Sequence, residues 1–297
     1  MNIALIGYGE VGRILAVDLR AAGHAVSAFD LKLDRSDGAP LRAHATEHGV
    51  TLAASHAGAV ADAELAISAV TASQTVVAAA ACAPALPAGC FFLDFNSASP
   101  GSKQAAAAHV AKGRGRYVEG AVMTSVPPHR LRVPLLLGGP DATALEPILK
   151  RLGFVATCAS DQLGVASATK MCRSVIVKGL EAMLIESFTT ARHFGVEDAM
   201  VASLRETFPG VDWEKQAAYF FERVILHGRR RAEEMREAAV TVREAGLEPW
   251  SASGTAERQA WVAALAEAGV FAPAAPHGNW RDDSDRILRH LAAGRKP

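Results

Sequence analysis

From the first residue to about residue 158, short apolar runs alternate with amphipathic or alanine-rich segments. Runs of this length between turn residues read as buried strands, and their alternation with helical segments predicts a parallel sheet covered by helices. The strand candidates lie at 2–6, 25–29, 65–70, 91–95, 116–119, 133–137 and 154–157. Past Gln162 no run rich in β-branched residues recurs, and helical periodicity takes over at 168–193, 212–227, 229–245 and 253–268. The expected fold class is therefore α/β: a doubly wound, mostly parallel sheet over residues 1–161, followed by an all-α domain over 162–297. The Pro/Gly-rich stretch 272–278 and the charged end after it read as a tail that hugs the surface.

One stretch, 65–93, holds no Asp, Glu, Lys or Arg, and a membrane span needs about 20 apolar residues. Ser68, Thr71, Ser73, Gln74 and Thr75 near its start, and Pro84, Pro87 and Gly89 near its end, punctuate it into strand, alanine-rich helix, turn and strand. It is read as a buried crossover unit, and no membrane association is expected.

The composition, 50% hydrophobic and 21% charged over 297 residues, is that of an ordinary globular chain and excludes disordered and fibrous classes. Lys plus Arg equals Asp plus Glu at 31 each, so no net field draws the protein to nucleic acid or to an anionic surface. A small molecule or a second copy of the chain is the expected partner. Cys82, Cys90, Cys158 and Cys172 form no CxxC pair, and the first residues do not read as a secretory leader, so a reducing cytoplasm and no metal site are expected.

The strongest chemical signal is Gly7-Tyr8-Gly9-Glu10-Val11-Gly12, which follows the apolar strand at 2–6 and opens a helical segment at 13–22. In that context Gly7 allows the tight turn, Gly9 lets the backbone approach a pyrophosphate, and Gly12 permits close helix-to-strand packing. The helix N-terminus meanwhile offers free N–H groups and a positive dipole. Gly23 then stops the helix. The second strand delivers Asp30 to its carboxyl end, about 20 residues past the glycines, where a carboxylate accepts from a ribose 2′-hydroxyl and repels a 2′-phosphate. The reading is a Rossmann site for NAD or NADP, with NAD preferred; Lys32 is placed to neutralise a phosphate. The cofactor-binding set is Gly7, Tyr8, Gly9, Glu10, Val11, Gly12, Asp30, Lys32, Val70, Thr71 and Asn96.

Four segments together resemble the β-hydroxyacid dehydrogenase and 6-phosphogluconate dehydrogenase superfamily. The glycine motif continues into Leu15-Ala16-Val17-Asp18-Leu19 and closes with Ala22-Gly23-His24-Ala25-Val26. Asp94-Phe95-Asn96-Ser97-Ala98-Ser99-Pro100 is similar to the family's strand end with Ser-Pro, and Glu119-Gly120-Ala121-Val122-Met123-Thr124-Ser125 stands where the family has its substrate loop. Gly164 followed by Lys170 stands where the family begins a long interdomain helix carrying its catalytic lysine. The segment from His227 to Met235 resembles a phosphogluconate-dehydrogenase-like branch. Two departures fall where substrate would bind: Ser174 replaces the family's Asn, and Met123, Thr124 and Ser125 replace its glycine pair. Substrate identity is therefore not carried over from the family.

Oxidising an alcohol to a carbonyl sends a hydride to nicotinamide and a proton to a base. Lys170, implied by the resemblance, is the candidate base, since partial desolvation brings a lysine pKa down and its ammonium can hydrogen-bond a developing oxyanion. The alternative is a hinge lysine paired with a surface acid. Ser174, at i+4, shares its helical face and is the second catalytic candidate, able to hydrogen-bond a substrate hydroxyl or carboxylate. Ser97, Met123, Thr124 and Ser125 follow strand ends, where open α/β sheets place ligands, and are candidate substrate contacts or plain turn residues. His129, Arg130 and Arg132 either hold an acidic substrate or solvate their loop. Arg229, Arg230 and Arg231 form surface pairs with Glu233 and Glu234, or, with His227, reach an active site across a dimer. The expected activity is reversible NAD(P)-linked oxidation of a small hydroxy acid by a homodimer joined through the helical domain. The alternatives are an imine or keto-acid reductase on the same scaffold and a non-catalytic dinucleotide-binding sensor.

Overall fold

The computed structural model describes residues 1–271 and 279–294. The stretch 272–278, read above as part of a surface tail, lies outside the described residues. The chain divides into two compact units, Met1–Met171 and Cys172–Pro297.

In the first unit eight strands form one sheet among the described residues. They are β1 Asn2–Ile6, β2 Ala25–Phe29, β3 Thr51–Leu52, β4 Leu65–Ser68, β5 Phe91–Asp94, β6 Arg116–Val122, β7 Pro134–Gly138 and β8 Val155–Ser160. Their order is β3-β2-β1-β4-β5-β6-β7-β8. All neighbours run parallel except β6 and β7, which are antiparallel. The chain winds outward from β1 in both directions, so β1 and β4 flank the switch point where an open α/β sheet opens its ligand crevice.

The strands form because their apolar runs can be buried on both faces. Ile3, Leu5, Leu65, Ile67, Phe92, Leu93, Val118 and Leu137 are all within 1% of full burial. The helices of this unit are α1 Glu10–Ala21, α2 Ala39–His48, α3 His56–Val60, α4 Thr75–Cys82, α5 Pro100–Ala111, α6 Val126–His129 and α7 Ala142–Arg151, and α8 Val165–Phe194 begins in it. Helix α1 turns Gly12, Leu15, Ala16 and Leu19 inward, the i, i+3, i+4, i+7 stripe of a helix lying on a sheet. The charge-free stretch 65–93 divides into β4, α4 and β5, and no helix among the described residues is long and apolar enough to cross a membrane.

The second unit holds the rest of α8 with α9 Glu197–Thr207, α10 Trp213–Glu244, α11 Trp250–Glu267 and α12 Trp280–Gly294. Leu184, Ile185, Phe188, Phe221, Val224, Val262, Trp280 and Ile287 form its core.

Several elements differ from the sequence expectation. Strand β3 is too short to register as a run and exists because it pairs with Ser27 and Ala28 of β2. Helix α9 was not in the expected set, and β6 runs on to Val122 because its end pairs with β7. Helix α10 is one helix where two were expected, because Gly228 is a packing residue rather than a break: a Cβ there would stand 2.7 Å from the Gln259 carbonyl oxygen on α11. From Trp280 to Gly294 the charged end is a helix with a buried face rather than a surface-hugging tail. It forms α12, whose Trp280 is 2% exposed and meets Phe188 edge-on at 4.8 Å between ring centroids.

Candidate active site

The loop after β1 is built from backbone contacts that leave no room for side chains at two of its glycines. Gly7 has φ +96, donates its N–H to the Phe29 carbonyl at 2.9 Å, and would drive a Cβ to 2.4 Å from the Ala69 carbonyl oxygen. A Cβ at Gly12 would stand 2.1 Å from the Gly7 carbonyl oxygen, so α1 can lie this close to β1 only with glycine there. Gly9 is different. It is the N-cap of α1, no side chain caps it, and a Cβ built on it meets nothing within 4 Å. Nothing in the fold itself calls for glycine at this position, whereas an anion seated on the first N–H groups of α1 would.

Asp30, at the carboxyl end of β2, anchors this loop by accepting the Tyr8 N–H at 2.7 Å on Oδ2 and the Lys32 N–H at 2.9 Å on Oδ1. Each oxygen keeps a second lone pair for a ligand hydroxyl. Glu10 and Val11 occupy the first turn of α1, whereas the Tyr8 side chain points away from the loop's open side: it is fully buried and its hydroxyl lies 2.9 Å from His44 Nδ1. Burial pushes the Tyr8 hydroxyl up to about 12, and burial together with His48 holds His44 below the usual histidine range.

The loops after β4 and β5 are joined to each other. Asn96 is buried, accepts the Val70 N–H at 2.7 Å and donates from Nδ2 to Ser68 Oγ at 3.0 Å. Its side chain thus stitches the two strand ends together, and Val70 lies beside the position a Gly7 side chain would take. Thr71 precedes a short 3₁₀ turn, with its hydroxyl 3.4 Å from Ser73 Oγ. At the end of β5 Asp94 is wholly buried; it accepts the Asn96 N–H at 3.0 Å, the Tyr117 hydroxyl at 2.6 Å and the Lys103 ammonium at 2.8 Å. Lys103 also reaches the Asp94 carbonyl at 2.9 Å. Burial and the Asp94 charge hold the Tyr117 hydroxyl well above the ordinary tyrosine range.

Ser97 follows the Asp94–Asn96 turn at the end of β5 and is half-buried. Lys170, in the second turn of α8, donates from Nζ to Ser97 Oγ at 2.5 Å. The start of α8 is held in turn by Glu119 of β6, whose buried carboxylate accepts the Gly164 and Ala166 N–H groups at 2.9 and 3.0 Å and the Ser167 hydroxyl at 2.7 Å.

Met123 closes β6 with its N–H on the Pro134 carbonyl at 2.9 Å, Thr124 is exposed, and Ser125 precedes α6. Arg130, with φ +54, makes a two-pronged ion pair with Asp18 of α1. The basic group at 129–132 therefore contributes a clip to α1 as well as two exposed side chains, His129 and Arg132.

In the second unit Ser174 is buried and accepts from Lys178 Nζ at 3.0 Å, and Lys178 lies 3.0 Å from Glu234. Of the three consecutive arginines, Arg230 pairs with Glu234 as the i, i+4 spacing predicted, but Arg229 pairs with Glu267 of α11. Arg231 is no surface residue at all. It is 4% exposed and forms a buried pair with Glu181, which also accepts from Gln259.

The supporting acids Asp94 and Glu119 and the cation Lys103 were absent from the candidate set. One signal was available: an acid flanked by apolar residues at the end of a buried strand, such as Val118-Glu119-Gly120, must find partners when it is desolvated.

Residues 2–164 match the model of the NAD binding domain of 6-phosphogluconate dehydrogenase, and residues 191–262 match a domain family of unknown function, DUF1932. A conserved hypothetical protein from Sinorhizobium meliloti 1021 has 36% identity, covering 98% of this chain and 97% of its own, with a TM-score of 0.80. A conserved protein of unknown function, whose structure reveals similarity with 3-hydroxyacid dehydrogenases, has 27% identity over 90% of this chain and 99% of its own, with a TM-score of 0.70. The Mycobacterium tuberculosis 3-hydroxyisobutyrate dehydrogenase, solved with L-serine, shares the fold at 18% identity, 96% and 98% coverage, and a TM-score of 0.71.

Proposed function

The chain belongs to the family of the NAD binding domain of 6-phosphogluconate dehydrogenase, and from that premise we propose that it catalyses reversible oxidation of a small hydroxy acid with NAD(H) or NADP(H). The observation that carries this reading is the Lys170 ammonium held against Ser97 at the carboxyl edge of the sheet. The contacts from Gly7 through Ala69, Val70 and Asn96 tie the glycine loop to the strand end that bears Ser97.

The first turn of α1, with Gly9, Glu10, Val11 and Gly12, would hold the pyrophosphate, and Asp30 the adenosine ribose, with Val70, Thr71 and Asn96 shaping the wall beyond. When bound, the nicotinamide supplies the hydride acceptor or donor. In the oxidative direction the neutral Lys170 amine takes the proton from the substrate hydroxyl and becomes the ammonium, in the reductive direction the ammonium returns it, and Ser97 fixes the side chain throughout. Ser174 is the second substrate contact in this reading, and Met123, Thr124 and Ser125 supply contacts after β6. The Asp30 carboxylate supports NAD as the preferred form, because a 2′-phosphate would face its charge; Lys32 beside it is the side chain that would soften that preference.

A homodimer joined through the helical unit is part of the proposal. Its support is the stripe Ile176, Leu180 and Met183 on α8, 65%, 37% and 59% exposed, which water leaves unfavourably solvated in a lone chain. The thiols Cys82, Cys90, Cys158 and Cys172 are all free, which supports a reducing cytoplasm.

Profiling hydroxy acids, keto acids and imines by nicotinamide absorbance tests the reading. Turnover of a hydroxy acid that disappears in Lys170→Ala is the expected result. Turnover of imines alone, or tight cofactor binding with no turnover of any class, would replace it with the reductase or the sensor.

A further inference from the structure

Where the Lys170 ammonium points depends on where α8 begins, because Lys170 lies in its second turn and a helix carries its side chains as a rigid body. One buried side chain fixes that beginning. Glu119 takes up two of the N–H groups that the first turn of a helix leaves unpaired, those of Gly164 and Ala166, and adds the Ser167 hydroxyl. The donors are amides and a hydroxyl rather than a cation, so the carboxylate's charge is met by the positive end of the helix itself. The sheet is shaped to admit it. Gly138 stands opposite Glu119 in the antiparallel register, and a Cβ there would lie 2.2 Å from Glu119 Oε1.

The other half of the Lys170–Ser97 contact is held in the same manner. Asp94 is the register partner of Glu119 on the neighbouring parallel strand, and its carboxylate fixes the turn leading to Ser97 through the Asn96 N–H. Two wholly buried carboxylates, side by side on β5 and β6, therefore each set one end of a single hydrogen bond.

We infer that Glu119 is a positioning residue for Lys170, setting the ammonium on Ser97 through the first turn of α8. The inference rests on Lys170 as the proton acceptor for its catalytic meaning, but the positioning itself has a separate readout. Trace acylation of the cofactor-free full-length chain, quantified by mass spectrometry, reports the accessibility of each lysine amine. With exposed Lys112 as the internal reference, Glu119→Ala should raise the acylation rate of Lys170 several-fold. Turnover should fall about 10²-fold, the loss that accompanies displacement of a reacting group by roughly 1 Å. Cofactor affinity should be unchanged. Glu119→Gln keeps an oxygen for the two amides and should rescue most of both effects, which a role in bulk stability alone would not predict. If Glu119→Ala does not fold, Ser167→Ala, which removes one of the three donors, decides the matter by the same two measurements, both expected to shift in the same direction by a smaller amount. Lys170 acylation and turnover at wild-type levels in Glu119→Ala, or in Ser167→Ala where Glu119→Ala does not fold, would overturn the inference. Full turnover in Lys170→Ala, with the acylation shift still present in Glu119→Ala, would instead remove the catalytic reading and leave the positioning intact.

Discussion

A Cβ on Gly12 would stand 2.1 Å from the carbonyl oxygen of Gly7, so these two residues are in contact through backbone alone and α1 can approach β1 no other way. Gly9, between them, has open space on its Cα. The three glycines of the loop thus fall into two groups, which substitution separates. Gly7→Ala and Gly12→Ala should each cost about 1–3 kcal/mol of stability, as overpacking does, and lower Tm by several degrees. Gly9→Val should leave Tm near the wild-type value and abolish most NAD(H) binding in calorimetry. Undiminished binding in Gly9→Val would mean that the open space is not the pyrophosphate site.

Asp30 has two tasks in the structure, and its substitution should reveal both. It holds the glycine loop through the Tyr8 N–H, and it presents its remaining lone pairs at the end of β2. Asp30→Ala should weaken both cofactors, since a hydrogen bond to a charged acceptor contributes about 1.5–3 kcal/mol. It should weaken NAD more than NADP, because the repulsion of a 2′-phosphate is lost with the carboxylate. A wild-type protein that already binds NADP more tightly than NAD would contradict the assignment.

The fully buried Tyr8 makes a statement about alkaline stability. Its hydroxyl is raised from 10 to about 12 by burial, so between these pH values the unfolded chain releases this proton while the folded one keeps it. The stabilisation is thus complete below pH 10 and is lost as pH climbs to 12, amounting to about 3 kcal/mol over the window. Urea unfolding followed across that window should be steeper in pH for the wild type than for Tyr8→Phe, with Tyr117 contributing equally to both. Parallel pH dependences would show that Tyr8 titrates normally in the fold.

Which of these features could be read in the chain follows from their range along it. The glycine turn, the strand carrying Asp30 and the alternation of apolar runs are local patterns, and each became the element its spacing implied. The Lys170–Ser97 contact joins residues 73 apart, and only the family resemblance put both in one site. Asp94, Lys103 and Glu119 escaped because nothing in the sequence states which buried acid meets which donor. Helix α12 escaped for a different reason: its charge density masked Trp280 and Ile287, an i, i+7 pair on one face. Gly228 misled in the opposite direction, as a residue that reads as a break and serves close packing.

Whether this site is catalytic turns on Lys170. Steady-state turnover and NAD(H) calorimetry on Lys170→Ala, with the best substrate from the absorbance profile, separate its roles most directly. Loss of a general base lowers turnover about 10²–10⁴-fold, or about 3–5 kcal/mol of transition-state stabilisation, whereas loss of an exposed ion pair costs about 0–1 kcal/mol. The predicted result is that loss of turnover, with cofactor affinity and Tm close to wild type. Full turnover in Lys170→Ala would contradict the account and leave Lys170 a structural lysine at the start of α8.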